Sequence, residues 1–388
     1  MYIGCEGSER MSQLLVVIFH ASAKGGRLEE IVGRAQHANV EDLIDKLTGI
    51  ASDIVVATPA AEDATAFRHA GAELVDTTRG GSFRFGEALA GILRRKGANA
   101  VLVLGSGSGV LLEDSHIAAL VEFAGRSAPT ALFNNFYSCD FVALSGAQVL
   151  LEIPLPPSDN ALGFALADAG IPCFAAPRDA ASQFDIDVPM DLCLLKEADQ
   201  GGAALRRVLD AWDVGHPTLG ALCEVLTDRS ALMQLGGRIQ PGTWQAFEQA
   251  TACRTGGWIE GRGLKGYPDK RERFVQGLVA DDPIAFFDRL AKAADGAILD
   301  TRPLLAVGNE LPPAHDRYAS DLFLVDEVRD LRWRAFTEAA RNASIPVVLG
   351  GHNLVSGGLF LLADRCWKGR DLPRRLHPES VSWREEHE

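Results

Sequence analysis

Five short apolar segments in the first half of the chain most constrain its fold. Helix-like patterns such as VEDLIDKLTGIA and GEALAGILRRKGA lie between several of them. Continuous apolar runs are typical of strands buried on both faces, and strands joined by helices form mostly parallel sheets. The first half therefore predicts an α/β domain that binds ligands at the carboxyl ends of its strands. The segments are LLVVIF (14–19), DIVVAT (53–58), AELVDT (72–77), NAVLVLG (99–105) and TALFNN (130–135).

The pattern changes between about residues 196 and 295, where GGAALRRVLDAW, PTLGALCEVL and PGTWQAFEQATA predict helices. From 295 onward the α/β pattern returns, with GAILDT and IPVVLGG as predicted strands on either side of a long helix. We therefore expect a first domain over 12–200 and a helical plus α/β domain over 201–376. Residues 377–388 are expected to form a flexible tail.

Charge and hydropathy limit the partners of the chain. Its 388 residues carry a formal net charge of -14, and residues 1–200 hold 26 acidic against 14 basic residues. Nucleic-acid backbones require clustered Lys and Arg, so no nucleic-acid partner is expected. No apolar run has the length of a membrane span and no signal peptide is visible, so we expect no membrane partner and a cytoplasmic location. The acid excess fits either a solvated surface or a cation-dependent site.

The first predicted strand leads into HASAKGGRLEE, in which Gly25 and Gly26 lie between Lys24 and Arg27. Glycines let a backbone approach a phosphate closely, and two cations neutralise its charge, so this segment is a candidate anion site. A solvated basic turn explains the same residues equally well.

Two further Gly-rich turns follow the third and fourth predicted strands. The first, DTTRGGSFRFGEAL, carries two arginines, and the second, GSGSG, offers backbone amides and hydroxyls without charge. Both turns end strands of the predicted sheet, where ligand groups gather. The candidate binding residues are Arg79, Gly80, Gly81, Arg84, Gly105 and Ser106.

Three aspartates stand at a predicted helix start in SQFDIDVPMDLCLLKEA, residues 182–198. Asp187 as N-cap, Pro189 in the first turn and Asp191 opposite the helix dipole would explain two of the acids by helix capping alone. The alternative is that Asp185 and Asp187 also face a metal ion.

The order of these elements over about residues 12–200 resembles the molybdenum-cofactor guanylyltransferase-like nucleotidyltransferases, and within them the 2-phospho-L-lactate guanylyltransferase branch. Lys24-Gly-Gly-Arg27-Leu28 approximates the Lys-x-Arg-Leu phosphate loop of that family with one extra residue, and Gly80 to Ala88 corresponds to its Gly-rich turn before a helix. Asp185-Ile-Asp187-Val-Pro189-Met-Asp191-Leu192 matches its Asp-Ile-Asp-Thr-Pro-Glu-Asp-Leu motif and is the most specific of the three matches.

The resemblance implies a Rossmann-like domain of glycosyltransferase-A type, which binds a nucleoside triphosphate and transfers the nucleotidyl group to a phosphorylated small molecule with Mg2+. Lys24 and Arg27 would then contact the phosphates as catalytic residues, and Asp185 and Asp187 would hold the metal. The chain has Gly-Ser-Gly-Ser after the fourth strand where the family has a metal-binding Asp. A domain that binds a nucleotide or phosphorylated metabolite without transfer, or that assembles with itself, is therefore a second hypothesis.

The second half has candidates of its own. AILDTRPLLA ends a predicted strand at Asp300 and Arg302, and IPVVLGGHNLVSGG puts Gly350, Gly351 and His352 at a strand-to-helix turn. A histidine at such a strand end is a candidate acid, base or phosphate contact. A third hypothesis therefore puts the active site around Asp300, Arg302 and His352. A helix cap at Asp300 and tight turns at the glycines explain the same residues structurally.

One basic loop completes the candidates. GWIEGRGLKG, residues 257–266, contains Arg262 and Lys265 and suits either a lid over an anionic ligand or a solvated loop.

Overall fold

A computed structural model describes residues 14–21, 25–59, 65–78, 82–260, 282–305 and 311–370. Its internal contacts divide the chain into an N-terminal unit, residues 1–214, and a C-terminal unit, residues 215–388. The sequence suggested a boundary at residue 200. The helix over 203–211 nevertheless belongs to the N-terminal unit, because Asp42 accepts hydrogen bonds from Ala204 N at 2.8 Å and Leu205 N at 2.9 Å.

The N-terminal unit is built on a seven-stranded sheet in the order β3-β2-β1-β4-β6-β5-β7. β6 runs antiparallel to both of its neighbours, and the other neighbouring pairs are parallel. The strands are β1 (Leu14–Phe19), β2 (Asp53–Thr58), β3 (Glu73–Asp76), β4 (Ala100–Gly105), β5 (Thr130–Phe133), β6 (Phe141–Ser145) and β7 (Cys173–Ala175).

Helices accompany this sheet between its strands and after the last of them. They are α1 (Arg27–Leu47), α2 (Thr65–His69), α3 (Phe85–Lys96), α4 (Asp114–Ala124), α5 (Leu162–Asp168), α6 (Ala180–Gln183), α7 (Pro189–Ala198) and α8 (Ala203–Ala211). Two 3-10 turns cover Ala147–Leu151 and Asp159–Ala161.

Burial on both faces explains the continuous apolar runs of the central strands. Val16 and Ile18 of β1 belong to one hydrophobic core, which includes Leu43 of α1. Leu15 and Val17 point to the opposite face and belong to a second core. Successive side chains of a strand alternate between faces, so every position of such a strand must be apolar. This architecture confirms the predicted mostly parallel α/β domain.

The C-terminal unit contains a four-stranded parallel sheet in the order β11-β10-β8-β9. The strands are β8 (Leu232–Gly237), β9 (Arg254–Ile259), β10 (Gly296–Asp300) and β11 (Val347–Gly350). The helices are α9 (Leu219–Leu226), α10 (Pro241–Ala250), α11 (Pro283–Ala293), α12 (Thr301–Leu305), α13 (Ala314–Asp321), α14 (Leu331–Arg341) and α15 (Gly357–Cys366). Two 3-10 turns cover Val325–Glu327 and Asn353–Val355.

The prediction of helices alone between 196 and 295 is wrong, because β8 and β9 lie in that interval. Their sequences, LMQLGG and RTGGWI, hold two adjacent glycines each and few branched apolar residues, so the usual strand pattern is weak. β6 and β7 were also missed. Within the described part of the chain, every helix is too short or too polar to span a bilayer.

Candidate functional site

The carboxyl ends of β1 and β4 form the first candidate site. The order β3-β2-β1-β4 means that the chain builds the sheet outward from β1 in one direction and then crosses to its other side. Ligands of open α/β sheets bind at such a reversal, called the switch point. The loop after β1 reaches α1 at Gly26 and Arg27, and β4 ends in the Gly-Ser tract, residues 105–109.

The Gly-Ser tract is enclosed by contacts within the N-terminal unit. Ser106 and Ser108 are buried, and the side-chain amide of Asn39 donates to their carbonyls at 3.0 and 2.9 Å. The Ser108 hydroxyl lies 2.9 Å from the carbonyl of Gly105 and 3.0 Å from that of Asp140, and its single proton serves one of them. The tract therefore fixes the backbone at the switch point, and the binding role expected for Gly105 and Ser106 stays a prediction.

The aspartate segment, residues 185–187, lies directly against this tract. Ile186 N donates to the Gly107 carbonyl at 3.0 Å, and Gln36 Nε2 of α1 donates to the Ile186 carbonyl at 2.7 Å. A β-carbon on Gly107 would lie 2.4 Å from Asp185 Oδ1 and 2.6 Å from the Ile186 carbonyl oxygen. The backbone approach thus requires glycine at this position, and it brings Asp185 to the switch point with the exposed Asp187 beside it.

Four carboxylates influence one another at this edge of the sheet. Burial raises the pKa of Asp185 well above its ordinary value, and the charges of Asp187, Asp140 and Asp191 raise it further. Asp140 is held by Asn134, whose Nδ2 donates to Asp140 Oδ2 at 2.8 Å. A carboxyl among like charges gains a proton or a cation more readily than an isolated one, so this edge favours a bound cation.

The helix start at α7 differs from the predicted one. Val188, not Asp187, is the N-cap residue, so the prediction of an Asp187 cap is wrong. The reason lies in Asp191, whose buried Oδ2 accepts from Asp187 N and Val188 N, both at 2.8 Å. Asp191 therefore closes the first turn from within the helix, which leaves the Asp187 side chain outside the capping interaction.

The residues at the switch point fit a cation that takes most of its coordinating oxygens from a bound small molecule and from water rather than from the protein. In the ranges that the structure describes, no group of three or more His, Cys, Asp or Glu side chains could hold a metal ion. Mg2+ in nucleotide sites needs only one or two carboxylates, because phosphates and waters supply the remaining oxygens. Asp185 and Asp187 meet that smaller requirement.

The predicted basic and Gly-rich residues are only partly brought to this site. Lys24, Arg79, Gly80 and Gly81 lie outside the described residues, as do Arg262 and Lys265. Gly25 and Gly26 precede the exposed Arg27, but a β-carbon on Gly25 would lie 2.9 Å from the side chain of Glu29. That acidic side chain therefore lies against the expected anion loop. Arg84 is exposed and forms an ion pair with Glu87 of α3 at 2.8 Å.

A groove beside α1 was missed by the sequence analysis. It has a volume of 580 Å³ and is lined by residues of α1 and α8 together with His20, which follows β1. His37 stacks on Phe67 with ring centroids 4.2 Å apart, and the ring of His20 lies edge-on to both. The spacing of Arg34, His37 and Glu41 along α1 was the available signal, because residues three and four apart share a helix face.

The carboxyl ends of β8 and β10 form the corresponding position in the C-terminal unit, since the strand order β9-β8-β10-β11 reverses between them. Asp300 ends β10 and is fully buried. Its Oδ2 accepts from Arg238 Nε at 2.6 Å and its Oδ1 from Arg238 Nη2 at 3.0 Å. Burial alone would raise the pKa of Asp300, but the charge and hydrogen bonds of Arg238, helped by His352 and Arg302, lower it overall. Arg238 was missed because β8, the strand that it follows, was not predicted.

Arg302 forms a second, buried ion pair. Its Nη1 lies 2.9 and 2.8 Å from the two carboxylate oxygens of Asp321 and 2.7 Å from the hydroxyl of Thr301. Asp300 Oδ1 also accepts from Arg302 N at 3.2 Å, so Asp300 caps α12 as the structural explanation proposed. Gly350 ends β11 and Gly351 and His352 follow it, so the structure brings Asp300, Arg302 and the Gly350 carbonyl, 3.4 Å from Arg302 Nη1, to one edge of the sheet.

No protein-family model and no curated protein match the chain. Solved structures match about half of the chain. A protein described as a nucleotide-diphospho-sugar transferase from Desulfovibrio desulfuricans is 15% identical, and the match covers 52% of this chain and 96% of that one with a TM-score of 0.39. A cytidylyltransferase from Leptospira borgpetersenii is 13% identical, with 52% and 94% covered and a TM-score of 0.38.

A nucleotidyl transferase from Methanothermobacter is 14% identical, with 46% of this chain and 94% of that one covered and a TM-score of 0.36. None of these three descriptions names a guanylyltransferase, so the finer family resemblance stays a prediction. Likeness at these identities and TM-scores is too distant to indicate an activity, a substrate or a metal.

Proposed function

We propose that the N-terminal unit binds a nucleoside triphosphate with Mg2+ and transfers its nucleotidyl group to a phosphorylated small molecule. The observation that carries this proposal is the close approach of Gly107 to Asp185. That contact connects the Asp-Ile-Asp motif with the switch point, the position at which α/β sheets bind their ligands. Four carboxylates lie near one another at this edge, and burial and the charges of the other three raise the pKa of Asp185. This concentration of negative charge supports the binding of a cation at the switch point.

Each residue in the proposal has a stated chemical role. Asp185 and the exposed Asp187 would hold Mg2+, which when bound would neutralise the charge that develops on the phosphates during transfer. Lys24 and Arg27 would bind the phosphates, with Gly25 and Gly26 allowing their close approach. The proposed cytoplasmic location and self-assembly have no role in this chemistry and are separate predictions.

Binding without transfer is the second candidate function. The observation that favours it is the Gly-Ser tract, whose Ser106 and Ser108 are buried and which offers no carboxylate where the resembled family has a metal ligand. A hydroxyl is a poor ligand for Mg2+ compared with a carboxylate. Turnover separates the two candidates, since both include nucleotide binding.

Thermal unfolding with each of the four nucleoside triphosphates, with and without Mg2+, tests the proposal. A ligand at about 100 times its dissociation constant adds about 2.7 kcal/mol to stability, so a Mg2+-dependent rise in Tm is expected for at least one nucleotide. Screening phosphorylated acceptors for pyrophosphate release with that nucleotide then tests the transfer step.

Asp187→Ala is the decisive variant, and Asp168→Ala is its matched control, because Asp168 is also exposed but ends α5. We expect Asp187→Ala to abolish the Mg2+-dependent rise while its own Tm stays close to that of the parent. Asp168→Ala should keep the full rise. Equal nucleotide affinity in Asp187→Ala and the parent would rule out the metal role.

A further inference from the structure

Three arginines from three different elements meet at the β8–β10 switch point of the C-terminal unit. Arg238 follows β8, Arg302 lies in the first turn of α12 and Arg317 lies in α13. Arg317 lies one helical turn before Asp321, the partner of Arg302, and so shares its face of α13. Burial lowers the pKa of Arg317, the charges of Arg302 and Arg238 lower it further, and those of Tyr318 and Asp321 raise it. An anion bound beside these arginines would offset their mutual repulsion.

Two carboxylates at this edge form ion pairs with two of these arginines. Asp300 is paired with Arg238, with oxygen-to-nitrogen distances of 2.6 and 3.0 Å, and Asp321 is paired with Arg302 at 2.8 Å. Among the described residues, no carboxylate lies within ion-pair distance of Arg317. Among the described ion pairs, Arg238 and Arg302 therefore each have a carboxylate partner, whereas Arg317 has none of its own.

Within the part of the chain that the structure describes, two buried donors of these guanidinium groups have no hydrogen-bond partner. Arg302 is 6% exposed, its Nη1 makes all the contacts with Asp321, and its Nη2 is buried without a partner. The Nε of Arg317 is likewise buried without a partner. An unsatisfied buried donor is costly, and most of all on a charged group, so these atoms call for an acceptor.

We propose that the C-terminal unit binds the phosphate group of a small phosphorylated molecule at this switch point, through Arg302 Nη2 and Arg317. The planar guanidinium fork matches the oxygens of a phosphate and forms charge-assisted hydrogen bonds to them. Asp300 and Asp321 act as positioning residues, because each holds one arginine in a fixed orientation. The site is separate in sequence and in sheet from the proposed nucleotide site.

The backbone at this edge is shaped for a close approach. Gly237 ends β8 with φ +123°, and a β-carbon there would lie 2.4 Å from Asp300 Cβ. Gly350 ends β11, where a β-carbon would lie 2.7 Å from Leu354 Cδ2. Both strand ends therefore need glycine, which keeps the backbone close to the arginine cluster.

Isothermal titration of the full chain with inorganic phosphate, without Mg2+ and at fixed ionic strength, tests the site. Acetate serves as the second probe, because it distinguishes a phosphate site from a general carboxylate site. We expect saturable binding of one phosphate per chain, and binding of acetate at least tenfold weaker. No saturable phosphate binding, or equal affinity for acetate, would overturn the proposal.

Arg317→Gln removes a positive charge without breaking an ion pair among the described residues, so the variant should fold. It should weaken phosphate binding at least tenfold, whereas the exposed Arg341→Gln, in α14 of the same unit, should bind as the parent does. Arg302→Lys, which keeps a charge beside Asp321 but lacks the second nitrogen, should also weaken binding at least tenfold. Parent-like affinity in Arg317→Gln would sink the proposal.

Asp187→Ala separates this site from the proposed nucleotide site. It should keep parent-like phosphate affinity even if it loses nucleotide binding. Loss of phosphate binding in Asp187→Ala with full binding in Arg317→Gln would assign the phosphate to the N-terminal unit instead.

Discussion

Gly107 and Asp185 approach so closely that a β-carbon on the glycine would lie 2.4 Å from the carboxylate Oδ1. One residue belongs to the Gly-Ser tract after β4 and the other to the aspartate segment before α7. The aspartate segment can occupy this position only because residue 107 is glycine and has no side chain. The contact places Asp185 at the switch point beside a Gly-Ser tract that has no carboxylate of its own.

Gly107→Ala should therefore disturb the aspartate segment. The added methyl group forces Asp185 and Ile186 away from the tract, and overpacking of this kind costs about 1–3 kcal/mol. We expect that loss in urea denaturation together with loss of the Mg2+-dependent nucleotide effect. Gly91→Ala is the control. Gly91 is exposed in α3, a β-carbon there would meet no side chain of the described residues beyond its chain neighbours, and alanine should stabilise by up to about 1 kcal/mol. Equal stability of the two variants would contradict the packing argument.

Asp191→Ala should cost more stability than the removal of an ordinary surface aspartate. The buried carboxylate of Asp191 accepts two backbone hydrogen bonds at 2.8 Å, and its loss leaves two N–H groups unpaired at the start of α7. A hydrogen bond to a charged group contributes about 1.5–3 kcal/mol, so we expect the loss of both bonds to cost about 3–6 kcal/mol in urea denaturation. Asp168→Ala should stay within about 0.5 kcal/mol of the parent. A similarly small effect of Asp191→Ala would show that the carboxylate is not needed for the helix start.

Asp42→Ala should loosen α8. Asp42 of α1 binds the backbone N–H groups of Ala204 and Leu205, and thus takes the place of a side-chain cap at the start of α8. Loss of a cap costs about 0.5–2 kcal/mol. Asp45→Ala is the control, because Asp45 is exposed on the same helix and should have an effect within about 0.5 kcal/mol. Denaturation of both variants provides the measurement, and indistinguishable midpoints would contradict the capping role.

The sequence predicted the central strands well because their burial on both faces leaves a strong signal. The apolar runs at 14–19 and 53–58 coincide with β1 and β2. β8 and β9 carried no such signal, since LMQLGG and RTGGWI owe their strand conformation to pairing with each other and with β10 rather than to local preference. Tertiary context decides such segments, and a single sequence does not contain it.

The sequence predicted the parts of the candidate site that lie within one short motif, but not the contacts between residues distant in sequence. The Asp-Ile-Asp motif correctly placed Pro189 in the first turn of α7, but it did not show that Val188 is the N-cap or that Asp191, instead of Asp187, accepts the backbone N–H groups. Arg238 was missed entirely, since its role depends on Asp300, which is distant in sequence. Ion pairs between strand ends follow from the strand order, which the sequence did not reveal for the C-terminal unit.

His216 should make the stability of the protein fall in mild acid. Burial lowers its pKa from 6.5 to about 4, partly offset by the backbone of Asp321, and its ring contacts Thr218 and Phe323. In the unfolded chain His216 is protonated below about pH 6.5, whereas in the folded protein it stays neutral down to about pH 4. The free energy of unfolding therefore falls as the pH falls through that interval. Between pH 7 and pH 5 this residue alone should cost about 2 kcal/mol. Urea denaturation at both pH values should show a loss smaller by about that amount in His216→Gln, whereas exposed His69→Gln should behave as the parent. The same pH dependence in His216→Gln and the parent would mean that His216 is not held neutral by burial.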